Sequence, residues 1–91
     1  MTKVEKHKQL CELLNKIYDQ KNHDYSDSFG ECYNKLGIIS AVTRITDKYN
    51  RLCSLATKPE EERMVKDETI KDTLMDMANY CLMTIIELEN N

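Results

Sequence analysis

Tryptophan is absent from this 91-residue chain, phenylalanine and proline occur once each, and glycine occurs twice. With so few obligatory breakers, and with Leu, Ile, Met, Lys and Glu prominent, the composition favours helices over sheet. The scarcity of large aromatics leaves the core to aliphatic and thioether side chains. Excess positive charge is also lacking. A net charge of −3 argues against broad, sequence-independent nucleic-acid binding, which depends on phosphate neutralisation by surplus Lys and Arg. It leaves room for one small phosphate-bearing ligand held by a local basic patch. No run approaches the length of a membrane span, and the opening "MTKVEKHKQL" lacks the apolar segment of a signal peptide, so a cytoplasmic protein with no membrane partner is expected. No two of Cys11, Cys32, Cys53 and Cys81 have C-x-x-C spacing. They read as free thiols beside the core, not as disulfides or zinc ligands. There is no Gly-rich phosphate loop and no Ser or Cys nucleophile motif. A chain this short carries one core, hence a single domain over residues 1–91.

What remains is strongly periodic. "T-K-V-E" at residues 2–5 has the form of a capping box. Leu10, Leu13, Leu14, Ile17 and Tyr18 then recur at helical spacing, which predicts a first helix from Lys3 to about Lys21. The polar cluster "NHDYSDS" should end it, because Asn, Asp and Ser bond their own backbone in turns. "S-F-G-E" at residues 28–31 offers a second box, opening a helix that runs to about Thr57, with a core stripe of Ile38, Val42, Ile45, Tyr49, Leu52 and Ala56. Gly37 interrupts it early and marks close packing or a kink. Thr57 and Glu60 are placed to cap a short extra turn with Pro59 inside it. A third long helix is expected from Asp67, as N-cap, to about Glu89, with a stripe of Ile70, Leu74, Met77, Cys81, Ile85 and Leu88. The fold class is therefore all-α, an antiparallel bundle of three main helices. Met75, Leu82, Met83 and Ile86 fall outside the last stripe, so completion of the core by homo-oligomerisation is expected.

Polar residues are patterned too. Arg44, Lys48 and Arg51 form a basic stripe at i, i+4 and i+7, and Glu68, Asp72, Asp76 and Asn79 form an acidic stripe with Tyr80 beside it. Salt-bridged bundle flanks explain both stripes plainly. A ligand groove explains them as well. Arg and Lys one turn apart grip phosphate oxygens, and carboxylates one turn apart suit Mg²⁺. Asp24 and Tyr25 in the "HDYS" turn would then close one wall, the ring stacking on a base and the carboxylate binding sugar or base.

Three segments, "KNHDYSDSF", "RITDKYNRL" and "DETIKDTLMDMANYCLM", resemble in order the phage-enriched family called nucleotide modification associated domain one. Its pattern runs roughly K-N-x-D-Y-G, R-x-x-D-K-x-x-R-L and D-E-[ST]-x-x-D-T-x-x-D-x-x-x-Y. The resemblance points to Asp24, Tyr25, Arg44, Asp47, Lys48, Arg51, Glu68, Asp72, Asp76 and Tyr80. The one departure is Ser26 where the family has Gly, which implies a less extreme turn. A more distant likeness is to the all-alpha nucleoside triphosphate pyrophosphatases, whose paired carboxylates hold Mg²⁺; only half of such a ligand set is present.

The resulting expectation is a nucleotide-binding protein of phage type that sequesters a phosphate-bearing nucleotide or cyclic nucleotide immune signal without hydrolysis. Asp24, Tyr25, Arg44, Lys48, Arg51, Asn79 and Tyr80 would bind it. The alternatives are a Mg²⁺-dependent pyrophosphatase or nucleotide-modifying enzyme, with Glu68, Asp72 and Asp76 as metal ligands, and a protein-interaction module. Whether the chain is an enzyme stays open at this point.

Overall fold

The computed structural model describes residues 1–64 and 69–90. Within them lie four α-helices and one short 3₁₀ turn: α1 (Lys3–Tyr25), α2 (Ser28–Leu36), α3 (Ile38–Thr57), the turn Glu60–Glu62, and α4 (Ile70–Glu89). The all-α fold is as expected, and α1, α3 and α4 are its three main helices. Asp67 and Glu68, read as helix cap and metal ligand, lie outside the described residues.

Caps explain the boundaries. The Thr2 hydroxyl accepts from the Glu5 amide at 3.1 Å, satisfying one of the orphan donors at a helix start. α1 then runs four residues past its expected end, through the polar cluster to Tyr25. The chain leaves helical geometry only at Ser26, with φ 58° and ψ −158°. The turn is therefore no milder for having serine in place of glycine, contrary to expectation. α2 is capped by Asp27 and not by Ser28: its carboxylate accepts from the Gly30 amide at 3.1 Å. A Cβ on Gly30 would run into that carboxylate, so the cap itself requires glycine there.

Gly37 ends α2 and starts α3 with φ 73° and ψ −163°, dividing what reads as one helix. A Cβ there would meet nothing within 4 Å. Backbone conformation, not close packing, is the reason for this glycine. Thr57 donates to the Cys53 carbonyl at 2.8 Å as the last residue of α3, and Pro59 precedes the 3₁₀ turn instead of lying inside it. α4 opens with a complete capping box. The Thr69 hydroxyl accepts from the Asp72 amide at 3.0 Å, and the Asp72 carboxylate accepts from the Thr69 hydroxyl at 2.8 Å and amide at 3.3 Å.

α3 and α4 form the principal helix pair. They run antiparallel: Lys48 reaches Asp76, while Ala41, two turns earlier, belongs to the core cluster on which Tyr80 and Met83, further along α4, pack. The core is small, made by Phe29, Tyr33 and Ala41 with Tyr80 and Met83 against them. Thr73 and Thr84 are buried on α4, each donating to the carbonyl four residues back. α1 has no buried residue. It is tied to α4 by Asn79 Nδ2 donating to the Leu14 carbonyl at 3.2 Å.

The expected core stripes are the larger correction. Ile38 and Val42 on α3 remain 43% and 48% exposed, and Leu74 and Ile85 on α4 remain 48% and 49% exposed. Each helix turns a smaller, more polar row toward its neighbour, with Ala41 and Lys48 on α3 and Thr73, Tyr80 and Thr84 on α4. Met83, expected outside the core, packs against it.

Candidate functional site

A cavity of about 290 Å³ opens between the end of α1, the start of α2, and the facing flanks of α3 and α4. The extension of α1 creates one wall. Tyr18, Lys21, Asn22 and Tyr25 recur at i, i+3, i+4 and i+7 and so share one helical face. Tyr25 is 69% exposed, a ring on the rim with its face open. The turn at Ser26 and the Asp27 cap then bring Phe29 into the floor. There its ring stacks on Tyr80 with centroids 5.9 Å apart and an interplanar angle of 22°, within the favourable range for aromatic pairs.

The polar groups converge on Asp76. Its carboxylate accepts from Lys21 Nζ at 3.4 Å and faces Lys48 Nζ at 3.1 Å, with the Lys48 side chain only 14% exposed. The acidic and basic stripes thus meet within one chain. Two ammonium groups around one carboxylate leave net positive charge at this point. Arg44 lines the same cavity, is exposed, and among the described residues its guanidinium has no carboxylate or carbonyl partner.

Of the residues singled out from the sequence, Tyr25, Arg44, Asp76, Asn79 and Tyr80 line this cavity. Lys48 lies behind Asp76. Asp24 points elsewhere: its carboxylate meets His23 Nδ1 at 3.1 Å on a shallow outer surface with Asp19 and Gln20. Arg51 is half-buried one turn further along α3 and is not part of the cavity wall. Asp72 is engaged at the start of α4, where hydrogen bonds from the Thr69 hydroxyl and backbone hold its carboxyl below its ordinary range. Tyr18, Lys21 and Phe29 were not assigned to a site from the sequence. The helical face through residues 18, 21, 22 and 25 carried the signal, and ending the helix at Lys21 concealed it.

Mg²⁺ needs several oxygens free to turn toward one point. Asp76 has an ammonium at each oxygen, Asp72 is committed to its cap, and among the described residues no three His, Cys, Asp or Glu side chains converge for a metal. These donors do not fit a Mg²⁺ site as arranged.

The sequence pattern of nucleotide modification associated domain 1 matches residues 21–88. The chain belongs to that family. The match begins in the cavity's α1 wall and spans every other element lining it. No curated protein and no solved structure matches the chain. Among the described residues, no helix is long and apolar enough to cross a membrane.

Proposed function

We propose that this member of the nucleotide modification associated domain 1 family binds a nucleotide in the α1–α4 cavity and retains it without hydrolysis. In this reading it is a sequestering protein for a phosphate-bearing nucleotide or cyclic nucleotide signal, acting in the cytoplasm of a phage-infected cell. The observation that carries the reading is Arg44, a guanidinium without a partner among the described residues, on the wall of an aromatic pocket. A planar fork of N–H donors suits phosphate oxygens. Lys21 and Lys48, sharing one carboxylate, add positive potential behind it. The open ring of Tyr25 offers a stacking face for a base, and Asn79 and Tyr80 line the side of the pocket where a sugar would lie. Asp24 and Arg51 keep an outer role, shaping the approach to the pocket without touching the ligand.

The family description, which names nucleotide modification, supports a second reading: enzymatic turnover of the same ligand. A ligand-fate assay separates the two. Purified protein is mixed with nucleoside triphosphates, cyclic dinucleotides and cyclic ADP-ribose isomers, with and without Mg²⁺. Free ligand is followed by chromatography before and after heat denaturation. Ligand that disappears and returns intact supports sequestration. Product that forms, with or without Mg²⁺, supports the enzyme. No retention and no turnover, with no ligand shifting the melting temperature, refutes both. Charge-assisted hydrogen bonds contribute about 1.5–3 kcal/mol, so Arg44→Ala should weaken retention about 10- to 100-fold with helical circular dichroism unchanged.

A further inference from the structure

We propose that the apolar face shared by α3 and α4 is the contact between two copies of this chain, forming a twofold four-helix bundle with the cavities on its outside. Successive residues turn by about 100° around a helix. On α3, Ile38, Val42 and Tyr49 are therefore rotated to one side of the contact line through Ala41 and Lys48. On α4, Leu74, Cys81 and Ile85 are rotated in the same sense from the line through Thr73, Tyr80 and Thr84. Because the helices are antiparallel, equal rotations in each helix's own frame bring both rows to the same side of the pair. Arg44 on α3 and Asp76 on α4 fall on the other side, at the cavity.

The face carries no charged side chain, in a sequence that is 32% charged. Its α3 row has the 4-3-4-3-4 spacing of helices that pack side by side in bundles, and α4 carries exposed Leu82 and Ile86 beside its Leu74–Cys81–Ile85 row, a wider apolar face than one neighbouring helix covers. In one chain it is not enclosed. The surface area is 7095 Å², where about 5500 Å² is expected of a compact monomer of this mass. The radius of gyration is 14.8 Å against an expected value of about 12 Å. The excess, about 1600 Å², includes the projecting first half of α1. As a whole it is about twice the roughly 800 Å² each partner buries in a standard interface. A second copy supplies a face of matching length, width and composition, two helices of 20 residues each.

The test is sedimentation equilibrium on wild type, Val42→Glu, Leu74→Glu and Leu10→Glu at 5–100 µM, with circular dichroism on each. Wild type should run at twice the 10.7 kDa chain mass or a higher even multiple. Val42→Glu and Leu74→Glu should each weaken assembly at least 100-fold, and Leu10→Glu, on the projecting part of α1, should not. Both target positions are half-exposed in the single chain, so a folded monomer is the expected product. If either variant loses its helical signal, Cys81 in the wild type gives the same answer: maleimide should label it at least tenfold faster at nanomolar than at 100 µM protein. A monomeric wild type overturns the proposal. So does a dimer broken by Leu10→Glu alone, or a stoichiometric foreign protein occupying the face. Arg44→Ala should assemble normally, so failure of the nucleotide reading and failure of this one are distinguishable.

Discussion

Two positions in this chain adopt nearly the same rare backbone geometry, one with glycine and one without. Gly37 lies at φ 73° and ψ −163°, Ser26 at φ 58° and ψ −158°. This region is close to glycine-only, and another residue there costs about 1–3 kcal/mol. Ser26→Gly removes that strain but adds about 0.5–1 kcal/mol of unfolded-state entropy. The net expectation is a gain of about 1 kcal/mol. Gly37→Ala reverses both terms and should lose about as much, because the new Cβ meets nothing within 4 Å and only the backbone is perturbed. For a domain of this size, 1 kcal/mol moves the melting temperature by about 4–8 °C. Ser26→Ala keeps the strained Cβ and should move it by less than about 0.5 kcal/mol. Calorimetry at one protein concentration reads all three variants; the fixed concentration is needed because association shifts Tm by mass action. A Ser26→Gly variant that melts at or below wild type, or two glycine exchanges that shift in the same direction, would refute the strain argument. Ser26 also lines the cavity, so the same variant shows whether the strain preorganises the pocket: relief accompanied by weaker retention would place it there.

Other outcomes follow from the caps and the charge cluster. Thr69→Ala removes the α4 N-cap and should cost about 1 kcal/mol, read as a lower urea midpoint with unchanged slope. Asp72, held below its ordinary value of 3.8 by Thr69, stabilises the fold above that value and ceases to do so as pH falls through its depressed folded pKa. The stability gap between wild type and Asp72→Asn should thus be widest at neutral pH and close below about pH 4, as measured by urea midpoints across that range. Asp76→Ala leaves the largely buried Lys48 without its carboxylate and should destabilise by about 2 kcal/mol. Released from Asp76, Lys21 and Lys48 should also tighten phosphate binding in equilibrium dialysis. Tyr25→Ala should weaken retention of a stacked base by about 1–3 kcal/mol with Tm unchanged, because the ring is mostly in solvent.

Local sequence made the helical class, the three main helices and several caps legible, since breakers are few and the apolar spacing is regular. Boundaries slipped where two readings competed at adjacent residues. Asp27 and Ser28 are both good caps, and only the backbone reversal at Ser26 selects Asp27. Periodicity gives the phase of an apolar row but not what covers it. The Ile38–Val42–Tyr49 and Leu74–Cys81–Ile85 rows are apolar as read, yet they stay exposed or half-exposed in the single chain and do not form its core. What α3 and α4 turn toward each other is built from Ala41, Thr73 and Thr84, small residues that permit close approach but carry little hydrophobic signal. The candidate site was half legible for a similar reason. Motif spacing found Tyr25, Arg44, Asp76, Asn79 and Tyr80, while Tyr18 and Lys21 were hidden by a helix read four residues too short.

The family-pattern residues also divide by what they touch. Thr69 and Asp72 close the capping box, Thr73 is buried against the backbone of the preceding turn, and Lys48 with Asp76 ties α3 to α4. These explain much of the third motif as construction of α4, without any ligand. Tyr25 and Arg44 have no such explanation. Neither supports a neighbour among the described residues, and both line the cavity. A side chain with no described neighbour to support, in a pattern partly accounted for by folding, is where ligand chemistry is most economically placed. The same reasoning applies to the opposite flank of the hairpin, where Val42 and Leu74 stay half-exposed in the single chain. Between the two flanks, the Lys48–Asp76 pair ties α3 to α4.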